Sequence, residues 1–160
     1  MTLADFVRTH QPQPPRIAPE NGDQHRFLRA EDGVFILNAP PVAAPVIGRR
    51  GTPDGRYLWV MSPAAIPAIL ETVPHVRPPL QSGVAKHTNL TGGGNASCGG
   101  EMWVDPVNAG LLHVTGGSGR YPPRSPVELN DAVLVLQTLG FRVDSAGWDV
   151  DADRPARVFR

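Results

Sequence analysis

The chain has 160 residues, fifteen basic against fifteen acidic, and a single cysteine. That length suits one domain, able to bury about two-thirds of its unfolded surface and to fold without disulfides or metal. Zero formal charge gives no general pull toward nucleic acid or anionic lipid, Cys98 alone excludes an internal disulfide or a multi-cysteine metal site, and no apolar run is long enough to span a bilayer.

Eighteen prolines and seventeen glycines predict short elements joined by ordered turns. Residues 1–24 read as a flexible or loosely packed arm, with a short helix from Leu3 to Val7 and an extended proline-rich tether from Gln11 to Pro15. Residues 25–160 read as a single α+β domain. Gly33 to Leu37 is the first strand, ended by Asn38 and Pro40-Pro41, and Val42 to Ile47 adds a short extended piece. Arg49 to Gly55 is turn-rich and closes on an Asp54-Gly55 hairpin signal before a strand from Arg56 to Met61. Ser62 and Pro63 introduce a short helix from Ala64 to Leu70, and the prolines of Thr72 to Gln81 mark a connection.

Val84 to Leu90 reads as a strand ended by glycines 92 to 94. Gly100 to Val104 and Leu111 to Thr115 form a hairpin that turns over Asp105 to Gly110. The clearest helix runs from Pro126 to Leu139, with Ser125 as N-cap, Pro126 at the first helical position and Glu128 completing a capping box. Leu129, Ala132, Val133, Leu136 and Leu139 form its apolar stripe, and Gly140 stops it. Phe141-Arg142-Val143 begins a last strand, and Arg157-Val158-Phe159 can pair at an edge. The expected fold is therefore α+β: a compact, mainly antiparallel sheet with a capped helix from the second half packed on it.

The chemistry concentrates in two loops. In KHTNLTGGGNASCGGE, residues 86–101, strand alternation would put His87 and Asn89 on one face, and the glycines could bring backbone N–H groups toward an anion. The spacing matches neither the P-loop nor the dinucleotide fingerprint. Glu101 is the acidic residue of this segment, and partial desolvation beside Met102 and Trp103 would suit it to general acid or base work. Cys98 with His87 is a weaker thiol-nucleophile pairing. In TGGSGRYPPRSP, residues 115–126, Ser118, Arg120, Tyr121 and Arg124 run into the helix start. There, free helix N–H groups and two arginines would seat a phosphate or carboxylate that Tyr121 closes over. His87, Glu101 and His113 match no compact metal motif, so no metal site is expected. Each feature also has a structural reading: turns for the glycines, packed rings for His87 and Tyr121, a hydrogen-bonded carboxylate for Glu101.

HTNLTGG, then GGEMW, then TGGSGRYPPRSPVEL, in that order within residues 55–142, resemble a domain of plant IQ-motif calmodulin-binding proteins and their fungal relatives. They are similar as well to C-terminal domains of bacterial polymorphic toxins and secreted effectors. The resemblance rests on His87, Gly100, Glu101, Ser118, Gly119, Tyr121 and Pro123, while Arg120 stands where a histidine often precedes the tyrosine. No IQ motif is present, so calmodulin binding is not implied. What the resemblance and the residues together imply is an effector- or toxin-like enzyme acting on a phosphate-bearing small molecule or nucleotide. His87, Glu101 and Tyr121 would be catalytic, and Asn89, Ser118, Arg120 and Arg124 would bind the ligand. ADP-ribosyl transfer, with NAD as co-substrate, is its concrete form. The alternative is a noncatalytic ligand-binding or protein-interaction domain. The amino end, MTLADFVRTHQPQPP, lacks the basic start and apolar run of a signal peptide, so a cytoplasmic protein is expected, with delivery as a secreted effector left open.

Overall fold

A computed structural model describes residues 1–18, 22–40, 56–71, 80, 82–108 and 110–157. Among these residues three α-helices, α1 (Leu3–Thr9), α2 (Gly22–His25) and α3 (Pro126–Thr138), accompany eight strands. The strands are β1 (Phe35–Ile36), β2 (Tyr57–Val60), β3 (Pro67–Leu70), β4 (Gly99–Val104), β5 (Leu111–Thr115), β6 (Arg142–Ser145), β7 (Trp148–Asp149) and β8 (Arg154–Pro155). Six of them form one sheet in the order β1-β3-β2-β4-β5-β6, and β7 and β8 make a small separate hairpin. Every pairing is antiparallel except β5 with β6. A parallel neighbour needs a crossover, and α3 supplies it between those two strands. The α+β class, the mainly antiparallel sheet and the packed helix all follow the sequence.

Register sorts the side chains by face. Tyr57 lies opposite Met102, and Met102 opposite Val114, so with Trp59, Val104 and Leu112 they share one apolar face. These residues form a single core cluster with Ala132, Val135 and Leu136 of α3. The helix therefore buries Val135, where the expected stripe named Val133. The other face is divided by chemistry: Leu58 and Val60 are apolar, whereas Glu101, His113 and Thr115, with Trp103 among them, make a more polar strip across β4 and β5 in which all but Glu101 are buried.

Four expectations change. The Ala64–Leu70 helix is instead strand β3, because Pro67 cannot donate inside a helix but can start a strand, here opposite Ile36. The Val84–Leu90 strand gives way to a 3-10 turn over His87–Leu90, all four residues buried, because the Asn89 amide is taken by the Asp23 and Arg26 carbonyls. The amino arm is docked: Thr2 and Asp5 cap α1, Phe6 is fully buried, and Gln13 pairs with Ala96 through two backbone bonds of 2.9 and 3.0 Å. Ser125 does cap α3, accepting the Glu128 N–H at 3.1 Å, but the Glu128 carboxylate takes the Arg124 N–H at 2.7 Å, so the capping box is only half formed. The expected elements at Val42–Ile47 and Arg49–Gly55, most of the Thr72–Gln81 connection, and Val158-Phe159 lie outside the described residues.

Candidate anion-binding site

Glu101 sits in β4 between Leu58 of β2 and Thr115 of β5, on the divided face. Its Oε2 accepts from the Arg56 guanidinium at 2.9 Å, and its side chain opens into a cavity of about 620 Å³. Arg16, Arg154 and Arg157 line the same cavity, so four guanidiniums face one carboxylate. They come from separate parts of the chain: Arg16 from the docked arm, Arg56 from the entry to β2, and the last two from the β8 end.

Much of the rest of the wall is the loop after β5, Gly116 to Gly119, flanked by Thr115, Pro122 and Pro155. Here the glycines are dictated by close approach. A Cβ on Gly116 would lie 2.8 Å from Pro155 and 2.9 Å from Pro123, so any side chain would push the β7–β8 hairpin off the sheet. A Cβ on Gly117 would meet Thr115 Oγ1 at 3.1 Å and stand 3.9 Å from Glu101 Oε2. Bare backbone thus leaves room beside the carboxylate. Ser118 lines the cavity too, but its Oγ accepts the Tyr121 N–H at 2.9 Å and fixes the loop.

The other expected site residues hold the fold around this cavity. His87 is buried, with Nε2 at 2.9 Å from the Gly100 carbonyl, which makes Nε2 the protonated nitrogen. Burial lowers its pKa to about 4 despite that bond, and Arg120 and Lys86 push the same way. The Cβ position of Gly99, on the Glu101 side of β4, lies 3.2 Å from the ring. Tyr121 touches the same strand start, its carbonyl accepting the Gly99 N–H at 2.7 Å. His87 and Tyr121 therefore both bond the backbone of β4 just before Glu101, and of the three only Glu101 lines the cavity. The Tyr121 hydroxyl donates to the Gly94 carbonyl at 2.6 Å and is 2.8 Å from Thr91 Oγ1, and burial raises its pKa.

Asn89 is equally engaged: its amide donates to the Asp23 and Arg26 carbonyls at 2.6 and 2.9 Å while its Oδ1 accepts the Lys86 N–H at 2.7 Å. It clasps the 23–26 segment to the 3-10 turn, which is why that turn displaces a strand. The glycines of 92–94 serve a turn, with positive φ at Gly92 and Gly93. Arg120 reaches Gln24 at 3.1 Å. Arg124 forks onto Glu128 at 2.6 and 2.9 Å, so the anion seat expected at the start of α3 holds the chain's own carboxylate. Cys98 is fully buried, and desolvation, reinforced by Glu128, raises its thiol well above the ordinary range, which disfavours a thiolate. His113 stacks on Trp103 and bridges Asp144 at 2.8 Å and Asp105 at 3.1 Å. Among the described residues, no group of three or more His, Cys, Asp or Glu side chains is placed to hold a metal ion.

Sequence reasoning missed Arg16, Arg56, Arg154 and Arg157. The available signal was compositional: fourteen of the fifteen basic residues are arginine, the residue suited to forked recognition of oxyanions. Comparison with protein-family models, with curated proteins and with solved structures finds no match to this chain. What the fold and the site define is a class: an α+β domain with an arginine-walled cavity around one glutamate. No helix among the described residues is long and apolar enough to cross a membrane.

Proposed function

We propose that this domain binds a phosphate-bearing small molecule in the arginine-walled cavity and that Glu101 acts on it as general acid or base. The observation that carries the reading is the charge of the wall, four guanidiniums against one carboxylate whose Oε1 accepts no hydrogen bond from the described residues. Guanidinium forks match phosphoryl oxygens in pairs, and glycine backbone lets a ligand reach the carboxylate. In the ADP-ribosyl-transfer form, the arginines would hold NAD by its phosphates. The ribose–nicotinamide C–N bond breaks with its electron pair leaving on nicotinamide, an acceptor nucleophile bonds to that carbon, and the acceptor's proton passes to Glu101. The three-motif resemblance to toxin and effector domains supports this version.

A second reading, binding without chemistry, by the cavity or by a protein-recognition surface around it, is favoured by the burial of His87 and Tyr121, whose polar atoms are used inside the fold. Ligand-detected NMR against NAD, ADP-ribose and nucleotides, followed by product analysis, separates the two. For the enzyme, Glu101→Gln keeps binding within a few-fold and lowers turnover by about 100-fold or more. Bound ligand with no product from the unsubstituted protein supports the second reading. Failure of every phosphate-bearing compound to bind refutes both as far as the cavity is concerned.

A further inference from the structure

We propose that the preferred ligand of this cavity carries a diphosphate group joined to a hydroxyl-bearing moiety, and that the protein does not read a nucleobase. This deepens the phosphate-binding reading and rests on it. Arg16, Arg154 and Arg157 form no ion pair with another described residue, while Arg56 is shared with Glu101. Three free forks each take a pair of oxygens, more than the roughly three that one phosphoryl monoester presents. They also approach from separate chain segments around about 620 Å³, a space in the range of cavities that hold whole metabolites and too large for one phosphate to bridge its walls. A diphosphate supplies both the additional oxygens and the reach. With Glu101 counted, the wall keeps a surplus of three positive charges, which suits a terminal diphosphate.

The lining also says what is not read. Among the described residues, arginine, proline, glycine, threonine, serine and Glu101 line the cavity, with no aromatic ring among them. Tyr121, the nearest candidate platform, is bonded to the Gly94 carbonyl, and Trp103 is stacked on His113. A base would find no aromatic ring to stack on and no Asn or Gln side chain to pair with among the described residues of the wall. The free Oε1 of Glu101 instead accepts a hydroxyl, which places a sugar or polyol beside the phosphates.

The test is calorimetric titration of the full chain at fixed ionic strength with inorganic phosphate, inorganic pyrophosphate, ADP, GDP and UDP. Pyrophosphate should bind at least about tenfold more tightly than phosphate, and the three nucleoside diphosphates should agree within about threefold. An Arg154→Gln/Arg157→Gln double variant, altered at two exposed positions, should weaken pyrophosphate by about tenfold or more with its thermal midpoint unchanged. Equal affinity for phosphate and pyrophosphate would overturn this inference while leaving the phosphate reading intact. Discrimination among the bases beyond about tenfold would remove the base-blind part of it. Absence of binding by any of the five would remove both readings together.

Discussion

His87 is neutral inside the protein because its ring is out of water, and that outweighs its bond to the Gly100 carbonyl, which favours the charged ring. Its pKa falls from 6.5 to about 4, so protonation is easier in the unfolded chain than in the folded one. The stability this residue contributes is therefore present above pH 6.5 and lost as pH falls toward 4, the loss amounting to roughly 3 kcal/mol at the acid end. Glu71 works against it: burial, then the charge of Glu101, raises its carboxyl above the usual range, so its contribution falls as pH rises through that raised value. Comparing the protein with His87→Gln isolates the imidazole. Urea midpoints at pH 7 and pH 4.5 should differ less for the variant, which cannot charge; an equal loss would show that the ring does not resist protonation. The residue's identity as a special one was legible in the sequence, because it lies with Asn89 and Glu101 in the polar, glycine-rich segment 86–101. Its role was not, since burial against Gly99 depends on a strand thirteen residues away.

Helix α3 and the β4–β5 hairpin were legible because their signals are local: a cap, a proline at the first position, a stop glycine, and two apolar runs around a turn. The helix also gives the sharpest test of local reasoning. Ser125 Oγ accepts the Glu128 N–H at 3.1 Å, so Ser125→Ala should cost about 1 kcal/mol. Gly140 has φ +102°, and a Cβ there would stand 3.3 Å from Pro40 Cδ, so Gly140→Ala should cost at least about 1 kcal/mol through backbone strain and crowding combined. Equilibrium unfolding in denaturant measures both, and a Gly140→Ala variant as stable as the parent would deny the left-handed stop. Segments 64–70 and 84–90 were misread for the opposite reason. Pro67 finds its place only when β1 and β2 lie beside it, and Asn89 holds a turn only because residues 23–26 are there to be clasped. Neither partner is within local reach of the pattern.

The cavity belongs to no single element. Arg16 comes from near the beginning of the chain, Arg154 and Arg157 from near its end, and Glu101 and Thr115 from the middle of the sheet. Backbone bonds put Arg16 there, its N–H donating to the Arg120 carbonyl at 2.7 Å, and the contact of Pro155 with Gly116 puts the β7–β8 hairpin there. Such an assembly has no sequence period, which is why Glu101 could be picked out and its four cationic neighbours could not. It also implies that a bound anion ties the arm and the hairpin to the sheet, because those segments carry guanidiniums that repel one another in its absence. Pyrophosphate at about a hundredfold excess over its Kd should therefore stabilise the protein by about 2.7 kcal/mol. Hydrogen exchange locates that effect. Amides around Arg16 and through residues 148–157 should slow on adding pyrophosphate, along with those of the 116–119 loop. Arg16→Gln should abolish the slowing in the arm first, since it removes the arm's only guanidinium in the cavity. Protection confined to the loop, with both chain-end segments exchanging as before, would mean that the arginines of the two ends do not hold the anion.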